Sequence, residues 1–198
     1  MVEIHSTTLD KILILLLSNK KEQFTIRQIA KTVGIDYKTV YIVVKRLIKD
    51  EVIHSKRVGQ TILCSLNLNK FNSSIFNAEY TRLQNLLLTN KDIYVLHKHI
   101  ESVENPCFIL LLFGSYASSK QRKGSDIDLM LITDNEHIQK KIKKEISLLP
   151  LDIHLLDFSV HEFLSMLKTT EFNVGREAFY NNLILHGVEN YYGMMQNA

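Results

Sequence analysis

The stretch FGSYASSKQRKGSDIDLML, Phe113 to Leu131, governs the reading of the chain's second half. An apolar run ends in Gly-Ser, a basic loop follows, and then come two aspartates one residue apart. Period two on a strand places Asp126, Asp128 and Met130 on one face and Ile127, Leu129 and Leu131 on the other, so the apolar set faces a core. The two aspartates then lie about 6–7 Å apart at their α-carbons, from two strand rises. Like charges that close repel. A hard divalent cation removes the conflict, and Mg²⁺ takes one or two carboxylates together with substrate phosphates. An isolated D-x-D is most often just an exposed pair, so the preceding turn carries the specificity. Gly114 lets a phosphate approach the main chain, Ser115 adds a hydroxyl, and Lys120, Arg122 and Lys123 supply positive charge.

Working outward, CFILLLF (Cys107–Phe113) is continuously apolar, as expected of a strand covered on both faces. DIDLMLIT (126–133) reads as a second strand, EHIQKKIKKEISLL (136–149) as a helix, and LDIHLLD (151–157) as a third strand. Helices are expected from about Ser159 onward, and also over 73–88 and 91–104. This interleaving predicts an α/β or α+β domain around a small sheet.

The first half has another pattern. Residues 7–18 form an apolar helix, and Thr25 caps a second with Ile26, Ile29, Ala30 and Val33 at helical spacing. Gly34 ends it, and Asp36 caps a third whose apolar face is Val40, Val43, Val44 and Leu47. Two short alternating strands follow around Gly59. The polar stretch Asn67–Ser74 is the expected linker, with domains at 1–68 and 75–198 and a linker at 69–74.

Charge divides the same way. Residues 1–68 hold eleven Lys/Arg against six Asp/Glu, a net +5, and residues 69–198 hold thirteen against fifteen, a net −2. A basic front half suits a polyanion partner. The run Ile12–Leu17 is too short for a signal peptide, with Glu3 and Asp10 upstream. No stretch approaches the roughly 18 apolar residues of a membrane span. Cys64 and Cys107 match no metal or redox spacing, which fits a soluble protein of the reducing cytoplasm.

On Gly114, Ser115, Ala117, Ser125, Asp126 and Asp128, residues 75–198 resemble the minimal nucleotidyltransferases of the DNA polymerase β-like superfamily. One departure is Ser119, where many members repeat a glycine. The resemblance implies a third carboxylate on a neighbouring strand. Asp152 has the apolar-acid-apolar setting, while its rival Asp157 has the opposite strand parity. It further implies Asp126, Asp128 and Asp152 as the catalytic and metal-holding set for one or two Mg²⁺ ions. Gly114, Ser115, Lys120, Arg122, Lys123 and Ser125 would hold the nucleotide, an NTP such as ATP. A small helical partner protein belongs to the same expectation, and a homodimer is compatible with it.

Residues 5–68 resemble winged helix-turn-helix domains. Tyr37, Lys38, Thr39, Tyr41, Lys45 and Arg46 would face DNA from the third helix, and Lys56 and Arg57 from the wing; a protein-contact role is the other reading. The whole is α+β, with a winged helix domain ahead of a small mixed-sheet domain with flanking helices. Two functions stay open: transfer of an NMP group to an unidentified acceptor, or a DNA-binding regulator that senses nucleotide without turnover. His154 shares a face with Asp152 and reads as a partly exposed structural residue. His97 and His99 make a poor metal pair, Lys140–Lys144 a solvated helix face, and Glu177, Gly187 and Glu189 structural positions.

Overall fold

The computed structural model describes residues 6–103, 107–118, 120–122 and 124–196. They form two compact units, 1–82 and 83–198.

The first unit runs α1 (Thr8–Ser18), β1 (Phe24–Thr25), α2 (Ile26–Val33), α3 (Tyr37–Lys49), β2 (Ile53–Val58) and β3 (Thr61–Leu66). Local chemistry sets the helix starts. Thr7 with Asp10 and Thr25 with Gln28 form reciprocal capping boxes, and Asp36 accepts the Thr39 N–H. Helices this short are marginal alone, so packing holds them. Ile12, Leu13, Leu16, Leu17, Ile29, Val40, Val44 and Leu47 are all essentially buried. Each contributes about 1.5–3 kcal/mol of burial. The strands form an antiparallel sheet of order β1-β3-β2, and the two-residue β1 gave no periodic signal in the sequence.

A buried polar cluster sits in this unit. Lys20, Glu79 and Arg82 are all buried, and Arg82 Nη1 donates to Glu79 Oε2 at 2.6 Å. Burial lowers the Lys20 ammonium to about 7; Glu79 opposes that shift and Arg82 adds to it. Glu79 and Arg82 lie on α4 (Ser73–Thr89), and the division between the units falls within this helix.

The second unit continues with α5 (Lys91–Glu101), β4 (Ile109–Leu112), α6 (Gly114–Ala117), β5 (Ile127–Ile132), α7 (Glu136–Ser147), β6 (Ile153–Phe158), α8 (Val160–Lys168), α9 (Val174–Tyr180), β7 (Leu183–His186) and α10 (Val188–Gln196). Its sheet has the order β6-β5-β4-β7. Only β5 and β6 are parallel, so the sheet is mixed and the class is α+β. One face carries Leu110, Leu112, Ile127, Leu129 and Leu131, packed with Ile93, Leu96 and Ile100 of α5 and Ile138, Ile142 and Ile146 of α7.

Two sequence expectations need correction. Helices do not follow one another unbroken after Ser159: LILH forms β7, against β4. Nor is the set Ile127, Leu129 and Leu131 alone in facing a core, since Met130, on the aspartates' face, is buried too. Met130, Ile132, Ile109 and Leu111 are all buried, with α8 packed on β6 and α10 on β4. That side of β5 is therefore uncovered only at its first residues, where the aspartates stand.

The buried cluster generates a stability prediction. Glu79→Gln removes the negative charge beside buried Lys20 and Arg82 and should cost about 3–5 kcal/mol in urea denaturation. Lys20→Met should be neutral or stabilising. A lowered folded-state pKa means the burial penalty on Lys20 is absent above about 10.5, grows as pH falls, and is complete below about 7. The wild type should lose stability over that window relative to Lys20→Met, and parallel pH profiles would refute the assignment.

Candidate active site

Chain order alone does not bring Gly114 to Asp128; antiparallel pairing of β4 with β5 does. Leu112 pairs with Leu129, and the next N–H, that of Phe113, donates to the Asp128 carbonyl at 3.0 Å. Gly114 follows at φ 67°, in the left-handed region. A Cβ there would lie 2.2 Å from Asp128 Oδ2. The glycine is thus required twice, by its backbone angle and by the carboxylate against it. Its carbonyl accepts from the Ser118 hydroxyl at 2.9 Å and the Asn181 amide at 3.4 Å. Asn181 follows α9 and was not singled out from the sequence, which gives no sign that residue 181 reaches residue 114.

The carboxylates come from the starts of parallel strands. Asp128 pairs with His154 in the β5–β6 register, and the Ile127 N–H donates to the Asp152 carbonyl at 2.8 Å. Alternation therefore puts Asp126, Asp128, Asp152 and His154 on one side of the sheet. Asp126 and Asp152 are exposed, each just ahead of its strand, while Asp128 is half-buried. Burial holds the Asp128 carboxyl above the ordinary aspartate range, Asp126 adds to this, and His154 opposes it. His154 Nδ1 stands 3.5 Å from Asp128 Oδ1. Its side chain is 59% exposed, so it flanks the acids from the solvent side and fills no core role.

Asp157 has another task. On the opposite face, it meets Lys143 Nζ at 2.7 Å and accepts from the Gln139 amide, tying β6 to α7. One lysine of the Lys140–Lys144 run is thereby fixed, while Lys140 pairs with exposed Glu136.

The loop is more self-engaged than the sequence suggests. The Ser125 hydroxyl accepts the Arg122 N–H at 2.9 Å and the Arg122 carbonyl accepts the Ser125 N–H, which staples the turn before Asp126. Ser125 therefore shapes the loop, while Lys120 and Arg122 stay exposed. Lys123 and Ser119 lie outside the described residues. Among the described residues, no three His, Cys, Asp or Glu side chains are gathered closely enough to hold a metal ion by themselves. The donor chemistry at Asp126 and Asp128 nonetheless fits a hard cation: two carboxylates repel there, one of them already half desolvated.

Residues 95–178 match the family model described as polymerase beta, nucleotidyltransferase. The matched segment contains Gly114, Ser115, Asp126, Asp128 and Asp152, and it supports a nucleotidyltransferase domain in this part of the chain. No curated protein and no solved structure matches.

In the first unit, Tyr37 and Tyr41 are exposed and stack at 6.0 Å, with Lys45 Nζ 5.6 Å from the Tyr41 ring. Lys38, Lys56 and Arg57 are exposed as well. Arg46 pairs with Asp50 at 3.7 Å and Arg57 donates to the Gly59 carbonyl. Thr39, exposed too, bonds Asp36 through both its N–H and its side chain at the start of α3. No described helix is long and apolar enough to cross a membrane.

The Gly114–Asp128 contact is open to a double-mutant test. Gly114→Ala should cost about 1–3 kcal/mol from strain alone, with a further loss from the displaced carboxylate. Pairing it with Asp128→Ala should recover the second part and leave the first. Strict additivity of the two substitutions in chemical denaturation would show that the contact carries no energy.

Proposed function

We infer that the second unit transfers an NMP group from an NTP to an acceptor, with Asp126 and Asp128 as its central acids. The observation that carries this reading is the convergence of Gly114 on Asp128. The fold places a main chain with no side chain directly against a carboxylate that is short of counter-charge. The two carboxylates Asp126 and Asp128 would hold Mg²⁺, and Gly114 would leave room for a phosphate beside them. Mg²⁺ would be held by Asp126 and Asp128 and would neutralise charge developing on the phosphate oxygens.

The chain's own residues then do the positioning on which phosphoryl chemistry mainly depends. Gly114 gives close access to the main chain, Ser115 offers a hydroxyl, and Lys120 and Arg122 bring positive charge to the entrance. Asp152 is exposed on the same side of the sheet and would orient the acceptor hydroxyl and take its proton. Asp157 is tied to Lys143 and faces the other way.

A second role belongs to the first unit, and a specific observation favours it. Tyr37, Tyr41 and Lys45 form one exposed row on α3, with Lys38 beside it and Lys56 and Arg57 on the hairpin. This fits a winged helix that places α3 in a DNA groove and the hairpin on the backbone. Such an arm would tether the enzyme to DNA. The same surface would also serve a regulator that binds nucleotide without turnover, and label transfer separates the two.

Incubation with each α-labelled NTP and Mg²⁺, with DNA, RNA or cell extract as acceptor, should place label on one acceptor class. Asp126→Asn and Asp128→Asn should each abolish Mg²⁺-dependent NTP binding or transfer while leaving stability equal or slightly higher. Asp152→Asn should spare much of the binding and remove turnover, since its interaction matters mainly in the transition state. Equal loss in Asp157→Asn, or full turnover in Asp152→Asn, would overturn these roles.

For the first unit, DNA affinity of the full chain should fall with salt at a log–log slope of about −0.9 per phosphate neutralised. Lys38→Ala or Lys56→Ala should each flatten that slope by roughly one unit. No DNA binding at low salt would leave α3 and the hairpin as a protein-contact surface.

A further inference from the structure

A cavity of about 540 Å³ opens at the far end of the second unit's sheet from the aspartates. Gly114 and Asp128 lie at the end of β4 and the start of β5; the cavity lies at the start of β4 and the end of β5. Its floor is apolar and buried, formed by Phe108, Ile109 and Ile132. Its wall is α10, and one residue sets how closely that helix approaches. Gly187, at φ 81°, stands where a Cβ would come 2.2 Å from the Phe108 carbonyl oxygen.

Two observations mark this space as more than a packing gap. The first is steric. Gly193 lines it from α10, and a Cβ there would meet nothing within 4 Å. Helices disfavour interior glycine by about 1 kcal/mol relative to alanine, so the open space is kept at a cost in helix stability. The second is electrostatic. The rim carries Asp134 and Glu189, and among the described residues no Lys, Arg or His lines the cavity. Asp134 Oδ1 accepts the Val160 N–H at 3.0 Å, which fixes its position. Glu189 makes no side-chain hydrogen bond or ion pair among the described residues. An apolar floor beneath two carboxylates selects against anions and against the nucleotide of the other site.

We propose that this cavity binds a small organic cation with an apolar body, such as an arylalkyl amine, its ring on Phe108, Ile109 and Ile132 and its ammonium between Asp134 and Glu189. The volume falls within the range of small-molecule sites, roughly 300–1,000 Å³. β4 and β5 run from this cavity to the Gly114–Asp128 contact, which gives the ligand a rigid connection to the acid site. The proposal does not depend on the reaction assigned there.

Cys107 is exposed on the rim, whereas Cys64 is buried with its thiol pushed up to about 11. Disulfide exchange therefore reads the cavity in the full chain. Cys107 thiolate attacks the probe disulfide, one half-probe is captured, and the other leaves as a free thiol. Two probes of matched size compete: one ends in a phenyl ring bearing an aminomethyl group, the other in a phenyl ring bearing a carboxylate. Intact-mass analysis should show the amine captured about fivefold over the acid, the ratio expected of one exposed ion pair. Glu189→Gln should reduce that ratio. Gly193→Leu, which fills the space and improves the helix, should cut amine capture several-fold without loss of fold by circular dichroism. Equal capture of amine and acid would overturn the proposal. So would amine capture that survives Gly193→Leu, since surface charge alone would then explain the preference.

Discussion

The second unit depends on a single close approach, main chain at residue 114 against the carboxylate of Asp128. A side chain at position 114 would occupy the space of Oδ2, so the strand end, the turn and the acid are specified together. Half-burial then makes that acid expensive to ionise, with Asp126 adding repulsion. The fold stores an electrostatic deficit at the mouth of the turn, and it is a deficit of positive charge. An anion would meet repulsion here unless a cation came with it.

Much of this was legible in the sequence because it is local. Capping by Thr25 and Asp36, the continuous burial of β4, and the parity that separates Asp152 from Asp157 are all set by near neighbours and strand period. Features made by distant segments were not legible. His154 reads as an ordinary half-exposed histidine until the parallel register puts it beside Asp128. Asn181 has no visible purpose until α9 ends near Gly114. Ser125 stands before the acids, and the hydrogen bond its hydroxyl accepts from the Arg122 N–H shows only in the folded loop. β1 and β7 are too short to show period two, and both exist because an edge was available to pair with.

The two halves manage charge in different ways. The second unit keeps Asp126 and Asp152 exposed on one side of its sheet, and on the other pins Asp157 to Lys143. The first leaves most of its cations on the surface but buries Lys20 with Glu79 and Arg82. A buried ion cluster adds little net stability compared with apolar packing.

The sheet order carries a consequence for how the chain comes together. β4 lies in the interior of the sheet, yet its partner β7 arrives more than 70 residues later. Until residues 183–186 are in place, the four apolar residues Ile109–Leu112 present an unpaired strand edge. Pairings this distant in sequence form late. A nascent or truncated chain that ends before β7 would carry that adhesive edge openly, so the last short strand also acts as the cover that keeps one molecule from adding itself to the next.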